Sequence, residues 1–477
     1  MVRHSYRHEL RSALTFPLAA SLAEGSFTGV IAAKNFNASV LLMSLITAAP
    51  MFGNIMALLW SELSAGRRKV PFVNLLQAGV AGMIASVALT ALLPANFAGW
   101  VFCAQIIIAR VLASGIITLR SAIWRANYPR AVRAQITGRI AVVATTVLAA
   151  TTFVGSYLLD RDPRAYVYLY PTAALVGALG IWQFSKIRVR TESLLIRSER
   201  ERQQLYTPRP ESMAETSEAN VLNYVPAIRH SFVRFFRQAY DVLRSDKAFR
   251  DYQRWQMLSG FSFMMYTPAL LYMVSTKMTD PKRQYLLATV VVQIIPMAVL
   301  LLTTQLWARL FDRVHVVKFR VYQGFVSVAA QITLFAGAMW GLHVGDERVG
   351  LMIVAVGQVL IGISNGGGNL AWNLGHNDFA TAEQSATYMA VHVMLTGIRG
   401  CFAPFIGSWL YALPWVGRNV FGLSALVCFV SLCGFISMAR GAPQKKLTAE
   451  TLRTQRKKEL RLADSRTLAS ASSASPR

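Results

Sequence analysis

GISNGGGNLAWNLGHNDFATAEQSATYMAVHVMLTGIRGCFAPFIGSWL, residues 362–410, holds a charge where a charge is least expected. Arg399 sits near the middle of an apolar run over 386–411, about the 20-odd residues that cross a bilayer as a helix. A charge at that depth needs a partner or a task. The run ends in FIGSWL (405–410), and an earlier apolar run ends in FVGSYL (153–158), 252 residues upstream. A second pair of echoes keeps nearly the same register. Trp60-Ser61-Glu62-Leu63 leads into Gly66, Arg67, Arg68 and Lys69, and 247 residues later Trp307-Ala308-Arg309-Leu310 leads into Asp312, Arg313 and Lys318. Two echoes in the same order predict two related halves.

Composition sets the class. Of 477 residues 54% are hydrophobic and only 15% charged, which excludes an ordinary soluble domain and predicts an all-α integral membrane protein. Apolar windows place helices near 12–33, 39–60, 71–93, 99–120, 138–159 and 165–186, then near 256–275, 285–305, 319–341, 350–372, 386–411 and 419–439. The basic N-terminus followed by an apolar stretch imitates a signal peptide, but the stretch runs on through Gly25 to Ala33 and is expected to stay as the first helix. The expectation is twelve transmembrane helices in two six-helix bundles: 1–187, a linker over 188–255, 256–440, and a basic tail over 441–477, partly disordered. Parallel halves of six are a recurring plan among transporters.

The net charge of +26 raises the question of nucleic acid. Its distribution answers it, because 39 of the 49 Lys and Arg fall in the N-terminus, alternate gaps and the tail, against 8 in the intervening gaps. That is how inner-face loops are marked, and it predicts a multi-pass protein of the cell membrane with both termini cytoplasmic and no nucleic-acid partner. Cys103, Cys401, Cys428 and Cys433 lie in apolar runs and form no disulfide or zinc pattern. Within the linker, Ile228, Phe232, Phe235, Val242 and Leu243 share a helical face among Arg229, Arg234, Arg237 and Arg244. This is either an interfacial helix on the inner leaflet or a short helix packed under a bundle.

Over essentially its whole length the chain resembles the major facilitator superfamily. Leu63, Gly66, Arg67, Arg68 and Lys69 are similar to that family's G-x-L-A-D-R-x-G-R-R/K loop, without its acidic residue; Leu310, Asp312, Arg313 and Lys318 form a second copy. The resemblance implies a gating charge pair, expected in the second copy rather than the first. Arg110 to Gly115 resembles the family's R-x-x-Q-G signature in helix 4, one residue wider. The drug antiporter G-P-x-x-G-G run and the sugar porter P-E-S-P-R segment are both missing. The family implies a secondary transporter working by alternating access, not an enzyme, with helices 1, 4, 7 and 10 facing a central cavity. Alternatives are a non-transporting receptor or lipid-handling relative of the same fold, or a polytopic membrane enzyme. The last has only His376-Asn377-Asp378 to offer, so no cofactor or metal is expected, and a monomer is.

Four helices carry polar stripes at helical spacing: Ser21, Glu24 and Thr28; Arg110, Ser114 and Thr118; Gln358, Asn365, Asn369 and Trp372; Tyr388, His392, Thr396 and Arg399. For the hydroxyls and amides, interhelical hydrogen bonding is the ordinary explanation. The charges differ in kind. Each costs roughly 2.5–3.5 kcal/mol at a helix centre facing lipid, so Glu24, Arg110 and Arg399 must face protein, water or solute. Glu24 is the expected proton-coupling group, or else half of a structural pair with Arg110, and His392 is either a titrating group or a satisfied core residue. Gly366-Gly367-Gly368 is either an unwound hinge or a close-packing surface. One deep arginine is left without an acid, so Arg399 is expected to be compensated by carbonyls of helix 10 or by an anionic group on a small polar solute.

Overall fold

The computed structural model describes residues 2–190, 192–194, 196–197, 199–200, 236–237, 239–380 and 384–441, and all of their regular structure is helical. Helix α1 comprises Val2–Ser21 and Gly25–Phe36; α2 is Val40–Ser64, α3 Lys69–Ser86, α4 Ala95–Asn127, α5 Arg130–Arg161 and α6 Tyr166–Ser185. Then come α7 (Lys247–Met273), α8 (Tyr285–Thr289, a π turn over Val290–Ile294, and Ile295–Phe311), α9 (Val316–His343), α10 (Glu347–Leu374), α11 (Ser385–Ala412) and α12 (Val420–Arg440). Eleven spans are long and apolar enough to cross a membrane, and α2 has a shorter apolar stretch over Val40–Met56. With twelve crossings, both ends of the described chain lie on one side, the terminal side. The opposite side is the far side.

Apolar windows located every helix but misjudged several ends. α7 begins at Lys247 because Asp246 caps it, its carboxylate accepting from the Phe249 N–H at 2.9 Å. Such polar turns project beyond the bilayer, where hydropathy carries no signal. A larger departure is α1, which stops at Ser21 and restarts at Gly25, leaving Glu24 extended and Gly25 at φ 69°. Glycine tolerates that positive φ, so the break falls where Gly25 allows it. Of the two readings of Gly366–Gly368, an unwound hinge or a close-packing surface, the second holds, since α10 runs through it as one α-helix. A side chain on Gly367 would meet the Trp307 ring at 2.9 Å, and one on Gly366 would meet Thr303 Oγ1 at 2.6 Å. These glycines let α8 and α10 touch.

The halves repeat each other contact by contact. α2 packs on α4 as α8 packs on α10, and the pairs α3–α4, α1–α6, α1–α5 and α3–α6 recur as α9–α10, α7–α12, α7–α11 and α9–α12. The tryptophan echo explains itself: Trp60 Nε1 donates to Val111 O at 3.0 Å, and Trp307 Nε1 donates to Ile363 O at 2.7 Å. Each indole fills a notch left by a glycine, Gly115 under Trp60 and Gly367 under Trp307, with 2.9 Å to a hypothetical Cβ in both. A repeated sequence is here a repeated helix joint.

Between the halves, contacts gather at the far side. The FVGSYL and FIGSWL echoes place Ser156 and Ser408 on this seam; Ser156 Oγ bonds Thr289 Oγ1 at 2.8 Å, while Ser408 bonds Ser44 and donates to Val40 O at 2.9 Å. Lys34, buried at the end of α1, donates to Thr279 Oγ1 and Arg283 O at 2.9 Å and also to Asp280 O. Asp160 accepts from the backbone N–H groups of Tyr285 and Leu286, capping α8 from the opposite half. Towards the terminal side Arg139, Val142 and Thr146 of α5 and Leu301, Leu302 and Gln305 of α8 are exposed. The hydrogen bonds that join the halves thus gather at the far side.

Of the linker's amphipathic residues, Val242 and Leu243 pack against the cluster of Phe249, Tyr252 and Phe319, while Arg237 and Arg244 are exposed. The described part therefore packs under the C-terminal half. Ile228, Arg229, Phe232, Arg234, Phe235, most of the linker centre and the tail beyond Gly441 lie outside the described residues.

Candidate functional site

Two adjacent cavities occupy the middle of the molecule. The larger, about 320 Å³, lies between the halves and is lined by Glu24 and Ser26 of α1, Leu148 of α5, Phe263, Tyr266, Thr267 and Leu270 of α7, Gln293 and Met297 of α8, and Gln358, Ile361 and Asn365 of α10. Glu24 reaches it because the break in α1 turns its backbone out of the helix. Its carboxylate stands 3.3 Å from Arg110 Nη1, and it remains 43% exposed against 16% for Arg110, so Glu24 lines the cavity while Arg110 holds it from outside the lining. Gln293 crosses from the other half and accepts from the Phe27 N–H at 2.6 Å, satisfying a donor freed where α1 restarts.

The smaller cavity, about 140 Å³, sits inside the C-terminal half between α7, α9, α10 and α11 and shares Phe263, Ile361 and Asn365 with the first. Arg399 lines it, 6% exposed. It does find a carbonyl, but on α7 rather than α10: Nη1 donates to Gln256 O at 2.9 Å, and among the described residues no hydrogen bond joins it to a carbonyl of α10. Beside it stands Arg320 of α9, 4% exposed, which donates to Gln323 Oε1 at 3.1 Å. Gln323 passes the polarity on to Ser327 and Ser364 at 3.0 and 2.9 Å.

The remaining sequence candidates separate by what their polar atoms touch. Trp372 lines the smaller cavity, and its N–H points at Thr396 Oγ1 across 3.4 Å. Gln358 and Asn365 line the larger. Thr28 lies elsewhere: its hydroxyl donates to the Leu22 and Glu24 carbonyls at 3.2 and 3.4 Å, healing the break in α1. Ser114 accepts from Trp60 Nε1 at 3.2 Å and donates to Val111 O at 2.7 Å, part of the α2–α4 joint. His392 is buried, 3.1 Å from Gln253 Oε1 and 5.6 Å from the Trp372 ring, and lines neither cavity. Asn369 is exposed and outside both.

In the loops the expected asymmetry is reversed. Lys69, 2% exposed, pairs with Glu199 at 2.7 Å, Glu199 also accepts from the Gly66 N–H at 2.9 Å, and Arg68 meets Glu192 at 3.4 Å. The acid missing from the first loop is supplied from beyond α6. Arg67 likewise has a partner. Asp312 and Arg313, expected to pair, are exposed and form no ion pair among the described residues. Asp378, not Asp312, caps the start of α9, accepting from the Val316 N–H at 2.8 Å.

Sequence reasoning missed Arg320, Gln293, Lys34 and Glu9. Arg320 sits at the very edge of the apolar window over 319–341, where a charge reads as interfacial; the helix starts four residues earlier, at Val316. Glu9, 1% exposed, binds Arg120 at 3.1 Å, Tyr128 OH at 2.6 Å and the Trp124 N–H. Burial first, and then the Glu9 carboxylate, pushes the Tyr128 phenol above its usual range. The signal for Glu9 was the spacing of Arg120, Trp124 and Tyr128 along one face of α4.

None of the curated proteins matches this sequence. Among solved structures, the chain is similar to the inward open xylose transporter XylE from E. coli (13% identity, TM-score 0.59, covering 95% of this chain and 100% of that one). It is similar also to a POT family transporter in complex with a thioalcohol conjugated peptide (13%, TM-score 0.62, 92% and 96%) and to the nucleoside transporter NupG (12%, TM-score 0.56, 91% and 98%). At such identities the likeness carries the fold alone. The family profile reaches further: it matches residues 14–404, and with the twelve-helix repeat and the cavity between its halves, the chain belongs to the Major Facilitator Superfamily.

Proposed function

We propose that the protein is a secondary transporter that moves a small anionic solute across the cell membrane by alternating access, acting as a monomer and driven by protons through Glu24. The observation that carries this reading is the central cavity, walled by both halves, sealed by hydrogen bonds at the far side and lined by Glu24, which is paired with Arg110. A cavity between two bundles that meet at one end is what alternating access requires, since opening the far side means breaking that seam and closing the terminal side. With the terminal side cytoplasmic, as the basic loops argue, this is the inward-open state. The proposed units are 1–187, 188–255, 256–440 and 441–477.

Glu24 suits coupling because a proton on its carboxylate would discharge the pair and release Arg110 towards solute or water. Arg399 suits solute binding because it is buried without a carboxylate among the described residues, and a guanidinium fork matches an anionic group. The loop pairs Lys69–Glu199 and Arg68–Glu192 are the proposed terminal-side gating contacts of the N-terminal half, with Arg67, Asp312 and Arg313 at the same surface. Thermal shift of purified protein against a metabolite library should identify a ligand, because binding to the folded state raises its stability. That ligand should then be taken up by proteoliposomes. Binding without flux would instead identify a receptor or lipid-handling member of the fold.

A further inference from the structure

Among the described residues, the buried lysines and arginines other than Arg320 and Arg399 have partners, as do several half-buried ones. Arg110 has Glu24, Arg120 has Glu9, Lys69 has Glu199, Arg418 has Glu347, and Lys34 is held by three oxygens. Arg320 and Arg399 break the pattern together, in one cavity. No carboxylate among the described residues reaches either, Arg399 Nε and Arg320 Nη2 have no acceptor, and both line the same small cavity. Two buried like charges without a counter-charge are costly, and a fold keeps them only where something else neutralises them.

We propose that this cavity is a phosphoryl-binding subsite, holding the dianionic phosphate or phosphonate group of the solute between Arg320 and Arg399. The inference rests on the anionic-solute reading above and sharpens it. A single carboxylate would leave one arginine uncompensated, whereas a phosphate monoester carries close to two negative charges and three acceptor oxygens. The forks of two arginines can share those oxygens around one centre. At about 140 Å³ the cavity has room for such a head group but not for a larger solute. Phe263, Ile361 and Asn365 line both this cavity and the adjacent central one, where Tyr266 and Leu270 would meet the organic remainder. Gly260 lies directly beneath the Arg399 guanidinium, where any side chain would collide with it, so the backbone of α7 is cut back to seat this group.

The test is calorimetric titration of the detergent-solubilised full chain with inorganic phosphate, phenyl phosphate, succinate and acetate. Phenyl phosphate is expected to bind at least about tenfold tighter than acetate, because only it satisfies both arginines. Arg320→Gln should weaken phenyl phosphate by about tenfold or more and leave acetate unchanged, while Arg399→Gln should lose both. Arg320→Lys, which keeps the charge and guards against a folding defect, should fall between wild type and Arg320→Gln. Inorganic phosphate matching phenyl phosphate would keep the subsite and assign it the free ion. Tighter binding of succinate, or Arg320→Gln binding phenyl phosphate like wild type while Arg399→Gln does not, overturns the phosphoryl assignment and leaves the single-arginine reading standing. If none of the four binds, both readings fall.

Discussion

The two halves share their joints and differ in their charges. Trp60 on Gly115 and Trp307 on Gly367 are the same piece of packing, down to the indole N–H and the carbonyl it reaches. At the level of ionisable groups the likeness ends: the N-terminal half sets Arg110 against Glu24 beside the central cavity, whereas the C-terminal half buries Arg320 and Arg399 with a backbone carbonyl, an amide and a hydroxyl and no carboxylate among the described residues. Helix packing tolerates few solutions, because close approach needs a small residue at each crossing. A polar cavity wall tolerates many. The scaffold is repeated and the charges are divided; on the proposed reading, coupling falls to one half and solute binding to the other.

That comparison can be broken at its most rigid point. Gly155 and Gly407 hold equivalent places in the two echoes, yet a Cβ on Gly407 would run into the Met265 backbone carbonyl, while one on Gly155 would meet only the side chains of Leu169 and Phe27, at 3.1 Å each. Backbone cannot yield as a side chain can. Gly407→Ala should cost about 3 kcal/mol or more and Gly155→Ala no more than about 1, read from the melting of the purified variants.

The terminal-side loops offer a second contrast. Glu199→Gln strands a Lys69 that is 2% exposed, and the expected loss is about 2 kcal/mol, below the range for fully buried pairs because Glu199 is itself partly exposed. Asp312→Asn, at an exposed position in the second loop, should stay within about 0.5 kcal/mol. Equal losses would mean that the two loops do the same work after all.

A third contrast lies between the two ends of the seam. Lys34→Met removes a buried donor from the far-side closure, so the balance should move towards the far-side-open state. In a background without the four native cysteines, Ser408→Cys should then be labelled from the far side about tenfold faster, a shift of ~1.4 kcal/mol. Unchanged labelling would make Lys34 a structural group only.

Much of this was legible beforehand. Twelve apolar windows, two echoes and the alternation of basic loops gave the helices, the halves and the resemblance, because a bilayer forces long unbroken apolar segments. Glu24, Arg110 and Arg399 stood out because charge is rare at that depth. What escaped was set by helix ends and by partners far apart in sequence. Arg320 hid at a window's edge, Lys34 and Gln293 take their meaning from the opposite half, and Glu199 replaces a loop acid from 130 positions away. Thr28 and Ser114 misled for the opposite reason: a hydroxyl on a polar stripe often serves the backbone of its own helix.

The division of labour is tested most directly in proteoliposomes, with the ligand found by thermal shift, comparing accumulation under a proton gradient with exchange in its absence. Glu24→Gln should exchange the solute near the wild-type rate yet fail to concentrate it, and Arg399→Gln should do neither. Accumulation by Glu24→Gln, or normal exchange by Arg399→Gln, would contradict the assignment of coupling to one half and solute binding to the other.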